Sequence, residues 1–431
     1  MRIKTFVLLL LVSFVVSLTP IFAQNKVQKM KSSPNISLNI TNSDKQSRTS
    51  YFNLGLLTNI HQLKGIGINA ISSIVQHDMT GLQLTGLANI TGLDATGIQV
   101  AGAVNVAGRN LNGFQLGGLM NIGGNELNGL QISAIGNIGG RNIKGISIGG
   151  LLTISGGNTS ALQLSGLANI TAQNMRGMQL SGVMNVAGSG MNGLQLAGLT
   201  NISIDSVHGL QLAGVMNVAV NTHHATQFSA LANICAEQMR GFQMGIGNYA
   251  GKLHGAQIGV INLCEGNAKG VQVGIFNHSK DTTTIKIGLV NINPHTRIQM
   301  MTYGGNLSKG NVAVRFLNHR TYTILGIGTQ YLGLNKKFSG ALFYRAGLHF
   351  PLTQKLSFSG DAGFYHIESF SNKDVDTPKR MYSLQPRVNV EYQISKNIAL
   401  MASAGYSWTR FYNKNKLYQH KPIIELGVIL F

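Results

Sequence analysis

A sixteen-residue repeat constrains the fold of this chain more than any other feature of its sequence. Two nearly identical stretches, "GMQLSGVMN" and "GLQLAGLTN", begin at Gly177 and Gly193. Glutamine recurs at one place in ten repeats, and asparagine follows it six residues later in nine of them. A fixed period of this kind is typical of repeat architectures, in which each unit packs against its neighbours along the chain.

The two amide columns favour a glycine-rich parallel β-solenoid. In such a fold each unit forms one coil, and equivalent residues of successive coils stack about 4.8 Å apart. Stacked amides can then hydrogen-bond along the stack, while Ser147 and Thr153 each interrupt a column once. We predict ladders formed by Gln83, Gln99, Gln115, Gln131, Gln179, Gln195 and Gln211, and by Asn89, Asn105, Asn121, Asn185, Asn201 and Asn217.

One large antiparallel β-barrel is the alternative fold. Leu82, Leu84, Gly86, Ala88 and Ile90 would form a wholly apolar face, as lipid-facing strands do. Neighbouring strands of such a barrel run in opposite directions, so the natural repeat would be a hairpin of two strands, and no ladder would form. The period therefore favours the solenoid, with a glycine bend that turns large residues inward: Leu87, Leu119, Ile135, Leu151, Leu167, Val183, Leu199, Val215 and Leu231.

Other repeat positions are expected to fill the core. Single apolar residues in the variable stretches, such as Met175 and Met191, could point inward. Cys235 and Cys264 occupy one column two repeats apart, about 9–10 Å by strand spacing, which is too far for a disulfide. We interpret them as small buried residues.

The C-terminal third is rich in aromatic residues and predicts a second architecture. Eight strand-like runs lie near 297–305, 311–319, 322–332, 338–350, 355–367, 380–394, 397–412 and 420–431. Short connections alternate with longer, charged ones, as in outer-membrane barrels. The chain ends on the aromatic Phe431, which resembles the terminal signal of such barrels, although Glu425 departs from strict alternation.

The "GLQLxGLxN" units and the aromatic C-terminal region together resemble the surface-repeat-containing outer-membrane proteins of Gram-negative bacteria. This resemblance covers nearly the whole mature chain and says little about molecular function. It implies residence in the outer membrane. If the C-terminus is periplasmic, the repeats also begin on the periplasmic side.

The N-terminus and the charge distribution bear on compartment and partners. Residues 1–23 have the basic start, apolar run and small residue of a signal peptide. We predict a polar segment at 24–50, the repeat solenoid at 51–296 and the eight-stranded barrel at 297–431. The formal charge of the chain is +20. Its basic residues form no nucleic-acid-binding motif, so the positive charge favours membrane lipid as the partner. Glycan, lipopolysaccharide or protein partners of the repeats are also expected.

No constellation of residues indicates catalysis or a cofactor. "GISIG" at 145–149 matches a nucleophile elbow, but no helix pattern follows it. His208, His223 and His224 are expected in solvated turns without further metal ligands. The acids near one long loop (Asp361, Glu368, Asp374 and Asp376) are interpreted as ordinary loop charges. We predict a non-enzymatic protein without cofactor or metal, with a structural or adhesive role; a porin or transport channel is the alternative.

Overall fold

The computed structural model describes residues 35–43, 49–281, 284–329, 339–370, 380–413 and 415–431. These residues form strands, turns and bends without any helix. Accordingly, the described part of the chain holds no helix that could span a membrane. The chain divides into two compact units, residues 1–249 and 250–431. The predicted signal peptide and the loop acids Asp374 and Asp376 lie outside the described residues.

The first unit is built from short strands that alternate with tight turns. Its strands are β1 (Asn35–Ser43), β2 (Thr49–Ile60), β3 (Gln62–Val75), β4 (Met79–Thr85), β5 (Ala88–Thr91), β6 (Ala95–Ala101), β7 (Val104–Ala107), β8 (Leu111–Gly117), β9 (Met120–Gly123), β10 (Glu126–Ser133), β11 (Gly136–Gly139), β12 (Asn142–Gly149), β13 (Leu152–Ser155), β14 (Thr159–Ser165), β15 (Ala168–Thr171), β16 (Met175–Ser181), β17 (Met184–Ala187), β18 (Met191–Ala197), β19 (Thr200–Ala213), β20 (Met216–Ser229) and β21 (Ala232–Met244). Strand β22 (Gly247–Ile258) begins in this unit.

Successive coils pair in parallel and in register. Strand β16 pairs with β18 so that Gln179 lies beside Gln195, and β15 pairs with β17 so that Asn169 lies beside Asn185. The parallel β-solenoid is thereby confirmed, and a single antiparallel barrel is wrong. Strand β1 also pairs in parallel with β2, although no repeat motif marks it in the sequence.

The prediction that the Leu87 column turns inward is wrong. Leu87 is 55% exposed, and Leu82 and Leu84 are half-buried. The bend after each first strand rotates this column onto the outer edge of the coil instead. Its exposed members are Leu119 (46%), Ile135 (38%), Leu151 (43%), Leu167 (45%), Val183 (36%), Leu199 (47%) and Leu231 (52%), while Val215 is half-buried. The interior is filled instead by the glutamine and asparagine side chains, by small residues, and by the one apolar residue in the variable stretch of each coil.

Glycine makes the close stacking possible. Gly177 lies within β16 and has a φ of +116°, a backbone conformation that residues with a side chain rarely adopt. A Cβ at this position would collide with the carbonyl oxygen of Ala161 in the preceding coil. The same positive φ recurs at the equivalent glycine of most coils, which explains why the repeat keeps glycine there.

The second unit contains three shorter coils and a barrel. The remaining strands are β23 (Ile261–Cys264), β24 (Ala268–Val273), β25 (Phe276–Ser279), β26 (Ile285–Ile287), β27 (Val290–Ile292), β28 (Arg297–Gly305), β29 (Gly310–Asn318), β30 (Thr321–Thr329), β31 (Ser339–Pro351), β32 (Leu356–Ser369), β33 (Arg380–Ser395), β34 (Ile398–Phe411) and β35 (Leu417–Leu430). Strands β28 to β35 form a closed antiparallel barrel, in which β28 pairs with both β29 and β35. The predicted eight-stranded barrel is confirmed.

Within this unit the last coil rests on the short-turn end of the barrel. The Tyr344 hydroxyl donates to the carbonyl of Gly288 at 2.8 Å. Asn318 Nδ2 donates to the carbonyl of Asn291 at 3.1 Å, and Thr323 Oγ1 donates to that of Leu289 at 3.3 Å. These bonds occupy polar groups at the end of the coil stack that would otherwise lack a neighbouring coil.

Candidate functional site

The glutamines form an internal ladder over most of the first unit, with one interruption at Ser147. Gln99 Nε2 donates to Gln83 Oε1 at 2.8 Å, and Gln115 Nε2 donates to Gln99 Oε1 at 2.7 Å. These side chains are completely buried. The same bond links Gln131 to Gln115, Gln179 to Gln163, Gln195 to Gln179, Gln211 to Gln195, Gln227 to Gln211 and Gln243 to Gln227. Each coil donates to the coil before it.

The asparagines form a second ladder in the opposite sense. Asn89 Nδ2 donates to Asn105 Oδ1 at 2.8 Å, and thus toward the following coil. The bond recurs from Asn105 to Asn121, Asn121 to Asn137, Asn169 to Asn185, Asn185 to Asn201, Asn201 to Asn217 and Asn217 to Asn233. Because the two columns donate in opposite directions, their amide dipoles partly cancel inside the core.

Asparagine also satisfies a strand carbonyl that points inward. Asn185 Nδ2 donates to Asn201 and, at 2.7 Å, to the carbonyl of Leu196 in the next coil. Leu196 is the penultimate residue of β18, close to the bend. Asparagine therefore satisfies from within the protein a carbonyl that would otherwise need another partner.

The coil of residues 141–156 breaks both ladders. Ser147 replaces glutamine, and Gln131 Oε1, Gln163 Nε2 and Ser147 Oγ are buried without a hydrogen-bond partner. Thr153 replaces asparagine in the same coil. The serine of "GISIG" is thus a fully buried column residue. This coil is the weak point of the ladder core.

Apolar and thiol side chains complete the core on the side away from the bend. Met175, Met191, Val207 and Met239 are at most 1% exposed. Cys235 and Cys264 are free and fully buried. Burial raises the pKa of Cys235 to about 12 and also raises the pKa of Cys264.

A buried lysine ends the glutamine column of the second unit. Gln272 Nε2 donates to Gln257 Oε1 at 2.8 Å, and Lys286 takes the glutamine position of the next coil. Its Nζ donates to the carbonyl of Asp281 at 3.3 Å. Burial lowers the pKa of Lys286 to about 8, against the opposing effects of Asp281 and Cys264. Sequence reasoning missed this role, although "IKIGLVN" places lysine where the repeat has glutamine.

The coils have a polar edge, which comprises the residues equivalent to 172–174. Arg109 and Asp94 form an exposed ion pair between adjacent coils, which lowers the pKa of Asp94. Asn174 Nδ2 donates to Asn158 Oδ1 at 3.0 Å, so short amide rows run along this edge as well. Beside this edge, the rings of His208 and His223 stack at 5.0 Å.

The turn assignment of these histidines is wrong. His208 lies within β19, and His223 and His224 lie within β20, because strand pairing continues around the polar edge there. Among the described residues, no group of three or more metal-ligating side chains converges.

The opposite, apolar edge comprises in each coil the residues equivalent to Leu162, Leu164, Leu167 and Ile170. Leucine, isoleucine, valine and methionine dominate these four rows. In each coil one short segment carries these four rows; the first such segment is 82–90 and the last is 242–249. None of these segments contains Lys, Arg, His, Asp or Glu. The first unit thus has amides inside and a long uncharged aliphatic edge outside.

The barrel likewise has polar side chains inside and apolar side chains outside. Its interior is filled by buried arginine–carboxylate pairs, which the strand patterns had not singled out. Arg345 donates to Asp361 from Nε at 2.8 Å and from Nη2 at 2.6 Å. Arg315 donates to Glu391 at 2.5 and 2.9 Å. The loop assignment of Asp361 is therefore wrong, whereas Glu368 forms an exposed pair with Arg380.

Glu425 belongs to this interior network. Its Oε1 accepts from Arg387 Nη2 at 3.2 Å, and the side chain is 1% exposed. Glu425 therefore departs from the apolar alternation because its side chain points into the barrel. The terminal Phe431 is 37% exposed, and its backbone N–H donates to the carbonyl of Asn397.

The outward face of the barrel is aliphatic and aromatic. Large apolar residues stand exposed on every strand from β28 to β35; they include Ile298 (58%), Val312 (50%), Ile327 (63%), Leu342 (61%), Phe364 (43%), Leu384 (51%), Trp408 (42%) and Leu426 (68%). The strand period of two separates this face from the charged interior.

Comparisons with known proteins assign this chain to no family. No family model matches the chain, and no curated protein matches it. The N-terminal β-barrel domain of Pseudomonas aeruginosa OprF is similar at 18% identity over 31% of this chain and 95% of that chain, with a TM-score of 0.25. Ail of Yersinia pestis is similar at 18% identity over 31% and 95%, with a TM-score of 0.22.

Neisserial surface protein A is similar at 11% identity over 31% of this chain and 92% of that chain, with a TM-score of 0.22. At such TM-scores these likenesses carry no weight for function. The resemblance to the surface-repeat proteins stays a prediction.

Proposed function

We propose that this chain is a non-enzymatic outer-membrane protein whose barrel anchors it and whose coils provide a binding surface. The observation that carries the proposal is the inverted barrel, with apolar residues outside and ion pairs inside. A barrel in water would expose its charged side chains and bury its aliphatic ones. Lipid-facing apolar residues and a polar interior are what transmembrane barrels require.

The filled interior favours an anchor over a channel. Arg345, Asp361 and Tyr322 are buried together, and the Tyr322 hydroxyl donates to Asp361 at 2.7 Å. Arg345 also lies 5.5 Å from the ring centre of Tyr303. A barrel of eight strands has just enough interior for such side chains, so no continuous water path is expected.

The coils would serve a structural or adhesive role. Exposed amide and charged side chains on the polar edge, such as Asn158, Asn174 and Arg109, suit the hydroxyl and phosphate groups of a glycan or lipopolysaccharide. A protein partner is a further candidate. The short-turn end of the barrel, where the last coil sits, would face the periplasm. Protease or antibody access to residues 80–240 on intact cells would contradict this orientation.

Trp408 provides a direct test of the anchor. It is the one tryptophan of the chain, and it lies on the outward face of β34. The full chain would be reconstituted into liposomes of brominated phospholipid, with unbrominated lipid as the control. We expect the brominated acyl chains to quench Trp408 and a water-soluble quencher to have little effect. Unquenched Trp408 would overturn the membrane assignment.

Conductance separates the anchor from the channel alternative. The same proteoliposomes would be fused with planar bilayers. We expect no conductance above that of protein-free bilayers, because the Arg345–Asp361 and Arg315–Glu391 pairs fill the interior. Stable unitary currents would overturn the anchor and support a transport role.

A further inference from the structure

Among the described residues of the first unit, no further layer covers its apolar edge. Leu167 is 45% exposed at the bend between β14 and β15, and its equivalents Leu151 and Leu199 are 43% and 47% exposed. From Leu87 to Leu231 the row is large and apolar in every coil except at Ala103, and of its large members only Val215 is half-buried, so the exposed side chains form a long strip. Contiguous aliphatic patches of this extent mark contact sites on proteins.

The backbone at this edge needs no water. Gly166, Leu167 and Ala168 form one bend, and their N–H groups donate at 3.0, 2.9 and 3.1 Å to carbonyls of the preceding coil. The carbonyls of Gly166 and Leu167 accept in turn from the following coil. Contact with hydrocarbon is tolerated only where backbone polar groups are satisfied internally, and these bends meet that condition.

A basic row flanks the strip on the face of the first strands. It consists of the residues directly before the positive-φ glycines. Lys64, Lys144, Arg176 and Arg240 occupy it, and the other members in the first unit are threonine, asparagine or histidine. No carboxylate occurs in the row. Lysine and arginine next to aliphatic surface can place their charges at anionic headgroups while their stems stay on the apolar side.

We propose that the apolar edge of the first unit lies against an anionic phospholipid bilayer, with its leucine rows in the acyl region and the basic row at the headgroups. A second copy of the chain would explain the aliphatic rows, but two such edges would bring two basic rows together. The charge pattern therefore favours lipid. The proposal rests on the proposed function, because a chain without a membrane anchor would have no bilayer beside its coils.

Two matched tryptophan variants of the full chain test the proposal. Leu167→Trp with Trp408→Phe places the indole on the apolar edge. Gln173→Trp with Trp408→Phe places it on the polar edge of the same coil, where Gln173 is also exposed. Both would be reconstituted in bilayers of brominated phosphatidylcholine and phosphatidylglycerol. Matching circular dichroism spectra of parent and variants establish that both fold.

We expect brominated lipid to quench the Leu167→Trp indole about as strongly as Trp408 in the parent chain, and to leave the Gln173→Trp indole unchanged. Equal quenching of both variants, or quenching of neither, overturns the proposal. An indole at 167 shielded from both brominated lipid and acrylamide indicates a second copy and also overturns it. If Trp408 itself is not quenched, the anchor fails, and this proposal fails with it.

Neutralising the basic row gives a second readout. Lys144→Gln combined with Arg176→Gln should reduce quenching of the Leu167→Trp indole in anionic bilayers and should have little effect in purely zwitterionic ones. The matched control, Asn128→Gln with Asn192→Gln, changes the same row without changing charge. Loss of quenching in both lipid mixtures would contradict the assignment of these residues to headgroups.

Discussion

Repair of the broken glutamine ladder is the sharpest test of how the coils are held together. Ser147→Gln places an amide between Gln131 and Gln163, which already lie in register on either side. The new side chain would donate to Gln131 Oε1 and accept from Gln163 Nε2, as glutamines do in the neighbouring coils. The substitution also removes the unpartnered Ser147 hydroxyl.

The expected gain follows from these three atoms. An unsatisfied buried polar group costs about 1–3 kcal/mol, and ordering one glutamine side chain costs about 2 kcal/mol. Taking about 1.3–2 kcal/mol for each of the three groups and subtracting the cost of ordering the side chain, we expect a net stabilisation of about 2–4 kcal/mol. At the lower limit this corresponds to about a 30-fold change in an opening equilibrium.

Hydrogen exchange with peptide-level mass analysis measures this locally. Amides of residues 126–170 should exchange about 30-fold more slowly in the Ser147→Gln variant. Gln115→Ser is the matched control, because it opens an equal gap in an intact stretch of ladder and should speed exchange there. If Gln115→Ser speeds exchange but Ser147→Gln has no effect, internal water already satisfies the natural gap. If neither changes exchange, the ladder does not stabilise the coils.

Three further predictions concern the glycine column, the buried lysine and the barrel interior. Gly177→Ala should lower the unfolding free energy in urea by about 1–3 kcal/mol, whereas Gly247→Ala, whose Cβ would lie 3.6 Å from the nearest atom, should change it little. The pKa of Lys286 falls from 10.5 to about 8 on burial, so the folded chain binds this proton less readily than the unfolded chain. The unfolding free energy should therefore rise from pH 8 to 10.5 and should lose this rise in Lys286→Gln, as urea titrations across that window will measure. Asp361→Ala leaves a buried guanidinium without its carboxylate and should destabilise the reconstituted barrel by about 3–5 kcal/mol in thermal unfolding; Leu342→Ala on the outward face is the control.

The stacking direction of the coils could be predicted from the sequence because the amides themselves require it. A glutamine pairs with a glutamine at every step only if like residues lie side by side, which a sixteen-residue period permits in parallel coils. The barrel strands were recognisable from their aromatic-rich runs and from short connections that alternate with longer, charged ones. Strand β31 occupies Ser339–Pro351 where 338–350 was expected, and β34 occupies Ile398–Phe411 where 397–412 was expected.

The direction of the Leu87 column could not be predicted in the same way. The expectation that it turns inward assumed that large aliphatic side chains fill the core. That assumption fails once Gln83 and Asn89 occupy the interior, because a sixteen-residue coil has little room beside two amide ladders. Lys286 and the Arg345–Asp361 pair were missed for a related reason. Each is a charge on the inner side of an element, where burial makes charge costly unless it is paired or neutralised.

In both the coils and the barrel, polar side chains lie inside and apolar side chains outside, and this arrangement has one physical cause. A coil stack whose interior amides bond to each other at 2.7–2.8 Å, as Gln99, Gln115 and Gln131 do, gains cohesion from bonds that water would otherwise compete for. Because these bonds hold the core together, the outer surface can carry aliphatic side chains without destabilising it. The barrel interior achieves the same end with Arg315 and Glu391. A water-facing solenoid would gain nothing from exposing Leu167 and its equivalents in coil after coil. Persistence of that row is therefore best explained by an apolar phase beside it, which is what quenching by brominated lipid will detect.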